Sequence, residues 1–258
     1  MLDPAEAAAV AAQFGVSDEQ VRRDHLLSHL LTVLARDLPN NVIFFGGTAL
    51  ARTHLPDGRL SEDLDLLAVP SRGEIVADVE QLLATGVRRE YGQLAWDPPL
   101  SAVRDVDPAV LRTREGLTVR VQLLDPSKHP SWPTERRALV QRYTDAPPAS
   151  LAVPTLPAFA ASKTNAWHDR RMPRDLYDLW GLARFGALDS AAADLFAKHG
   201  PTGRPPRSWM FTNPPDAADW TAQLGGQTRI AISALEALSV VREAWSTVIS
   251  QDAADGRH

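Results

Sequence analysis

Residues 42–69 constrain the chain more than any other stretch. Val42 to Phe45 is a short apolar run that reads as a buried strand. Gly46 and Gly47 follow at once, then Thr48 and the apolar spacing Ala49, Leu50, Leu55 of a short helix. Bare glycines let a backbone come close to a ligand, and the N–H groups that open a helix favour an anion. Asp63-Leu64-Asp65 comes next, in a run that continues Leu66, Leu67 and Val69. Side chains alternate faces along a strand, so Asp63 and Asp65 point one way and Leu64 and Leu66 the other. Mg²⁺ takes one or two carboxylates together with substrate phosphates and water, and two carboxylates beside an anion-binding turn suit it. A lone Asp-x-Asp is more often a solvated edge strand; here the upstream glycine turn and the apolar strands on both sides favour the site.

A chain of 258 residues can build one large or two small domains with a real core. It has no cysteine, which excludes disulfides and thiolate chemistry and fits a reducing cytoplasm. The first residues lack a basic and an apolar signal region, and no apolar run reaches the ~20 residues of a membrane span. No membrane association and a cytoplasmic location are therefore expected. The net charge of −5 excludes a protein basic all over, yet leaves room for a basic face.

Along the chain, residues 4–14 read as an alanine-rich helix. Ser17 and Gln20 form a capping pattern for a second helix over about 18–38, with Val21, Leu26, Leu27, Leu30, Leu31, Leu34 and Leu38 at helical spacing. His25 and His29 stand one turn apart on it; with no third ligand evident nearby, they read as packing or surface histidines. Ile75 to about Thr85 predicts a helix, 87–96 and 99–104 predict strands, and 117–124 predicts a strand of the central sheet with Arg120 and Gln122 on one face. Residues 112–142 carry seven Arg/Lys against three acids. They read either as a solvated surface or as an arm gripping nucleic-acid phosphate, with Trp132 and Tyr143 packing or stacking on bases. Prolines at 147, 148, 154 and 157 mark a junction. Helices are predicted over 156–170, 174–185, 190–199, 217–224 and about 227–249, with an ordered loop over 200–216 and a frayed tail from Gln251 to His258.

A second constellation lies at 161–179. Lys163, Ala166 and Arg170 share a helical face, and Asp175 and Asp178 stand one turn apart on the next helix, which opens near Pro173. On spacing alone, a helix pair whose ions pair with each other is the leading reading.

Gly46-Gly47-Thr48-Ala49-Leu50 followed by Arg59-x-Ser61-x-Asp63-x-Asp65 resembles the AbiEii/AbiGii nucleotidyltransferase toxins, whose mycobacterial members are called MenT. The 161–179 stretch is similar to the second motif of that family, so the resemblance spans about residues 43–180 and leaves the last 75 or so without a named motif. It implies an α+β fold, with a mixed sheet of the nucleotidyltransferase type flanked by helices and a helical C-terminal domain. The expected domains are 1–150, catalytic, and 151–258, helical, contributing Lys163, Asp175 and Asp178 to the site.

The implied activity is transfer of NMP from NTP, with Mg²⁺ or Mn²⁺ on Asp63 and Asp65. Gly46, Gly47, Thr48, Arg59, Ser61, Lys163 and Arg170 would bind the nucleotide, the Thr48 hydroxyl included. The resemblance further implies a toxin that adds nucleotides to the 3′ end of tRNA and blocks translation, a winged-helix antitoxin partner, and restraint by phosphorylation, for which Thr48 is the nearest candidate. A third acid common on the neighbouring strand of nucleotidyltransferases is replaced by Gln122, with Asp125 a weak substitute, so the general base is sought in Asp175 or Asp178. Nucleotidyl transfer to protein or to a small molecule, phosphoryl transfer to the antitoxin, and a non-catalytic nucleotide-binding module are the alternatives.

Overall fold

In the computed structural model, which describes residues 1–254, Asp3 opens helix α1 (Pro4–Phe14) by accepting from the N–H groups of Ala5 and Glu6 at 2.7 and 3.2 Å. Ser17 opens α2 (Asp18–Asp37) by accepting from Gln20 N–H at 3.3 Å, each cap satisfying donors that a helix start leaves open. The amide oxygen of Gln20 accepts from Arg23 at 2.6 Å, so the cap is one-sided. Strand β1 (Val42–Phe45) runs straight into α3 (Gly46–Thr53), and β2 (Asp63–Ala68) returns antiparallel to β1. Next come α4 (Arg72–Thr85), the single turn α5 (Arg88–Tyr91), and strands β3 (Ala95–Trp96), β4 (Ala109–Arg112), β5 (Thr118–Leu124), β6 (Thr134–Ala138) and β7 (Ser150–Pro154).

The seven strands form one mixed sheet in the order β3-β4-β5-β2-β1-β7-β6. β5 lies parallel to β2, and β7 parallel to β1; the other neighbours are antiparallel. The chain divides into two compact units, one running from Met1 to Pro154 and the other starting at Thr155. The second unit is helical: α6 (Leu156–Arg170), α7 (Pro173–Arg184), α8 (Ser190–His199), α9 (Ala217–Leu224) and α10 (Ala234–Ala254). The expected fold class, a mixed sheet with flanking helices followed by helices, is the one observed.

The first unit buries Phe44 of β1, Leu64 and Leu66 of β2, Val119, Val121 and Leu123 of β5, and Leu26, Leu27, Leu30, Leu31 and Leu34 of α2. At roughly 25 cal/mol per Å² of apolar surface removed from water, each such side chain contributes about 1.5–3 kcal/mol against the cost of ordering the chain. The second unit packs Phe159, Trp167, Leu179, Phe196, Phe211 and Trp245, and the Trp167 indole donates to Met210 O at 2.9 Å.

Several expected elements differ. Residues 87–96 hold one helical turn and a two-residue strand, and 100–102 form a 3₁₀ turn. The strand that pairs with β5 lies later, at 109–112. The proline-marked junction contains β7, which sits beside β1 inside the sheet and is flanked by prolines at positions compatible with a strand end. The last helix opens at Ala234, because Ser233 caps it, accepting from Glu236 N–H at 3.3 Å. It runs to Ala254, through the first part of the expected tail; residues 255–258 lie outside the described residues. The expected basic arm is largely sheet and paired charge. Arg120 lies on β5 and Arg136 and Arg137 on β6, Lys128 pairs with Asp105 at 3.2 Å, and Arg142 donates to the carbonyls of Ala51 and Pro56 at 3.0 Å. Tyr143 is buried, with its hydroxyl 3.0 Å from Asp24 Oδ2, which removes it as a base-stacking surface.

That tyrosine belongs to a buried polar network. Arg52 of α3 donates to Asp24 Oδ1 of α2 at 2.7 Å and to Asp24 O at 2.9 Å, and also to Val140 O at 2.9 Å. Both side chains of the pair are almost fully buried. The network fixes α3, and with it the glycine turn, on α2. Arg52→Ala strands the Asp24 carboxylate and is expected to lower the unfolding free energy by about 3–5 kcal/mol in a urea melt.

Candidate active site

The main chain brings the first motif together before any side chain is considered. Gly46 has φ +77°, a conformation glycine adopts freely and L-residues avoid. A β-carbon there would also lie 2.1 Å from Asp65 Oδ2, inside van der Waals contact. Only glycine lets the Asp65 carboxylate rest against the start of α3. At Gly47 a β-carbon would meet Arg59 Nη2 at 2.5 Å and Ser61 Oγ at 3.1 Å. Arg59 and Ser61 are both buried, held against the glycine turn by the loop that leads into β2. Gly46 is thus a neighbour of Asp65, and Gly47 of Arg59 and Ser61; the sequence predicts the glycine turn beside the Asp-x-Asp pair and does not anticipate the second contact. Phe45, the residue before α3, offers no side-chain cap, and the N–H groups that open a helix favour an anion.

Thr48 does something other than expected. Its hydroxyl donates to the carbonyl of Asp63 at 2.5 Å, and the residue is buried. The side chain braces β2 against α3, leaving only its backbone N–H for a phosphate. The hydroxyl is buried and engaged with the Asp63 carbonyl, so a modifying enzyme would reach it only after that bond opens.

Asp63 and Asp65 are half-buried on one face of β2, and Leu64 and Leu66 are buried on the other. The parallel register sets Asp63 beside Arg120 and Asp65 beside Gln122 on β5. Arg120 grips Asp63 with two hydrogen bonds, 2.8 and 3.1 Å, and those bonds, with the aspartate's charge, push its guanidinium pKa up. Gln122 donates to Val106 O at 2.5 Å, which leaves its amide oxygen as the group beside Asp65. Asp125, the weak substitute for a third acid, accepts from Ser127 N–H and hydroxyl at 3.0 and 2.6 Å and shapes a turn. Two carboxylates and an amide oxygen are hard oxygen donors of the kind Mg²⁺ takes, so the residues fit that ion, provided Arg120 releases Asp63.

The second constellation is a buried ion cluster. Lys163 Nζ on α6 lies 3.2 Å from Asp175 Oδ1 and 2.7 Å from Asp178 Oδ2, both on α7. Arg170 donates to Asp175 through Nε at 2.6 Å and Nη2 at 2.9 Å. Arg171, at φ 52°, turns the chain between the two helices. Burial alone would raise the Asp175 carboxyl; Lys163 and Arg170 outweigh it and hold it at about 2. A carboxylate so weakly basic is a poor proton acceptor at neutral pH, so Asp175 suits orienting Lys163 better than activating a hydroxyl.

Sequence reasoning missed two things. One is the clamp of Arg120 on Asp63, visible only once the register of β5 is known. The other is Asp145, whose carboxylate lies 3.0 Å from His25 Nε2 although 120 residues separate them. The missing third partner for the histidine pair is this aspartate, and no local spacing signals it.

The fold matches that of MenT4, a nucleotidyltransferase toxin from Mycobacterium tuberculosis H37Rv, with TM-score 0.73 and 23% identity over all of this chain and 93% of that one. It is also similar to JHP933 from Helicobacter pylori, with TM-score 0.54 and 15% identity over 93% of this chain and 96% of that one. No curated protein matches the sequence. The architecture is that of a nucleotidyltransferase. Residues 30–247 match the model of the nucleotidyl transferase AbiEii toxin of type IV toxin–antitoxin systems, and the chain belongs to that family. Among the described residues no helix is long and apolar enough to cross a membrane.

The ion cluster sets an acid limit on stability. Asp175 titrates at about 2 in the folded chain against 3.8 ordinarily, so its contribution is complete above pH ~4 and lost as pH falls from ~4 to ~2. The size is on the order of 2 kcal/mol. Asp175→Asn is expected to lower stability at pH 7 and to flatten the decline between pH 4 and 2, as measured by denaturant melts across that range.

Proposed function

We propose that this toxin transfers a nucleoside monophosphate from an NTP to an RNA acceptor, the 3′ end of tRNA, and so blocks translation in the cytoplasm. The observation that carries the chemistry is the contact between the glycine turn and Asp65, on the same strand face as Asp63. The tRNA acceptor rests on the resemblance to MenT-type toxins.

In this reading Asp63 and Asp65 hold Mg²⁺ or Mn²⁺. A bound divalent ion supplies neutralisation of the triphosphate and of the departing pyrophosphate. The N–H groups at the start of α3, from Gly47 and Thr48, receive phosphate oxygens. Arg59 and Ser61 support the turn from beneath. Arg120 holds the Asp63 carboxylate in place and yields it when nucleotide binds. The acceptor 3′ hydroxyl forms a bond to the α-phosphorus, the α–β P–O bond breaks, and pyrophosphate leaves. The family resemblance assigns Lys163 of the second unit to neutralising the phosphates and Asp178 to the remaining role of base; within that unit Asp175 and Arg170 orient Lys163. A winged-helix antitoxin is the proposed partner.

A second reading is favoured by two observations: Gln122 stands beside Asp65, and Arg120 already neutralises Asp63. Under it the site binds NTP without turnover. Incubation with total tRNA, Mg²⁺ and each NTP in turn, labelled at the α or at the γ position, separates the two. The proposal expects label in tRNA from one preferred NTP, reduced at least 100-fold by Asp63→Ala or Asp65→Ala. Label only from the γ position would mean phosphoryl transfer, and bound NTP with no labelled RNA would support the non-catalytic reading.

A further inference from the structure

Three side chains of the first unit that nucleotidyl transfer does not use converge on one point. His25 and His29 lie one turn apart on α2, both almost fully buried, and Asp145 follows the buried Tyr143. His25 Nε2 is 3.0 Å from Asp145 Oδ1, His29 Nε2 is 3.3 Å from His25 Nε2, and His29 Nε2 is 3.6 Å from the same Asp145 oxygen. We propose that these three atoms are the ligands of a divalent transition-metal ion of the Zn²⁺ class.

The distances carry the inference. An ion bound tetrahedrally at ~2.0–2.1 Å has donor atoms about 3.3 Å apart. The three observed separations, 3.0, 3.3 and 3.6 Å, centre on that value and outline one face of a tetrahedron. Proton bookkeeping points the same way. Two imidazole nitrogens and a carboxylate oxygen facing one another are all lone-pair bearers unless protonated. A single proton serves one pair of them, whereas one cation serves all three.

The surroundings fit as well. His25 Nδ1 meets the Tyr91 hydroxyl, and that hydroxyl is 3.4 Å from Arg22 O, to which it donates. With the Tyr91 hydroxyl as acceptor for Nδ1–H, Nε2 of His25 is the lone-pair nitrogen toward the site, the arrangement common behind metal-bound histidines and the one metal binding would select. The Asp145 side chain is a quarter exposed, so the fourth position is reachable from solvent. Its second oxygen accepts from the Met1 amine at 2.6 Å. Two imidazoles and one carboxylate select Zn²⁺, Ni²⁺ or Cu²⁺ over Mg²⁺. The ion would fasten the turn after Tyr143 to α2, the helix on which Asp24 anchors α3.

The test uses the full-length chain without a polyhistidine tag, stripped by a chelator and titrated with Co²⁺, then Zn²⁺. One equivalent of Co²⁺ is expected to give the visible absorption of a four-coordinate ion, displaced by Zn²⁺, with a rise in melting temperature. His29→Gln and Asp145→Asn should each weaken binding at least 100-fold. Tyr91→Phe should weaken it about 10–100-fold by freeing the His25 ring. Circular dichroism shows which variants fold; should His29→Gln fail, the more exposed Asp145→Asn decides. No Co²⁺ spectrum from folded wild-type protein, or unchanged affinity in Asp145→Asn, overturns the proposal.

Discussion

The absence of a side chain at position 46 is the constraint on which the candidate site depends. The backbone there is left-handed, and the Asp65 carboxylate occupies the space a β-carbon would need. That contact fixes how β2 stands against the start of α3. The same turn, one residue on, rests on Arg59 and Ser61, and Thr48, two residues on, ties back to Asp63 O. Four consecutive features of sequence, the glycine pair, the threonine, the Arg-x-Ser and the Asp-x-Asp, thus become one small cage around a helix N-terminus. Its positive end and the two carboxylates present opposite charges side by side, which is what binding a metal–triphosphate requires.

Buried charge does the positioning within each unit. Asp24 meets Arg52, Tyr143 and, at 3.6 Å, Arg142, and the network holds α3 to α2. In the helical unit, Asp175 meets Lys163 and Arg170. Burying such groups is costly unless every one is paired, and removing one partner is costlier than removing the whole cluster. The consequence for Lys163 is direct. Its replacement by alanine leaves two buried carboxylates short of their cation, so a loss of activity there mixes lost stability with lost chemistry.

Much of this was legible in the sequence where the signal is local. The glycine pair, the alternation of β2, the cap at Ser17, the shared face of Lys163 and Arg170 and the one-turn spacing of Asp175 and Asp178 all act within a few residues, and these elements formed where expected. What failed depends on partners distant in the chain. β7 hides between prolines that read as a linker, because a parallel strand is specified by its neighbour β1 rather than by its own five residues. β4 was placed too early for the same reason: its pairing with β5 decides it. Arg120 was seen as a cation on the right face, but its clamp on Asp63 needed the register. Asp145 could not be joined to His25 and His29 by any spacing rule, and Thr48 read as a phosphate donor because the Asp63 carbonyl that takes its hydroxyl carries no mark in the sequence.

The central claim is that Asp63 and Asp65, beside the Gly46–Gly47 turn, bind a metal–nucleotide. Electron paramagnetic resonance of Mn²⁺, titrated with a non-hydrolysable NTP analogue, reads this without requiring the acceptor. Wild-type protein should show an Mn²⁺ signal bound only when the analogue is present, and Asp65→Asn should lose that nucleotide-dependent signal by at least tenfold in affinity while remaining folded. An undiminished nucleotide-dependent signal in Asp65→Asn, or none in the wild type, would contradict the account.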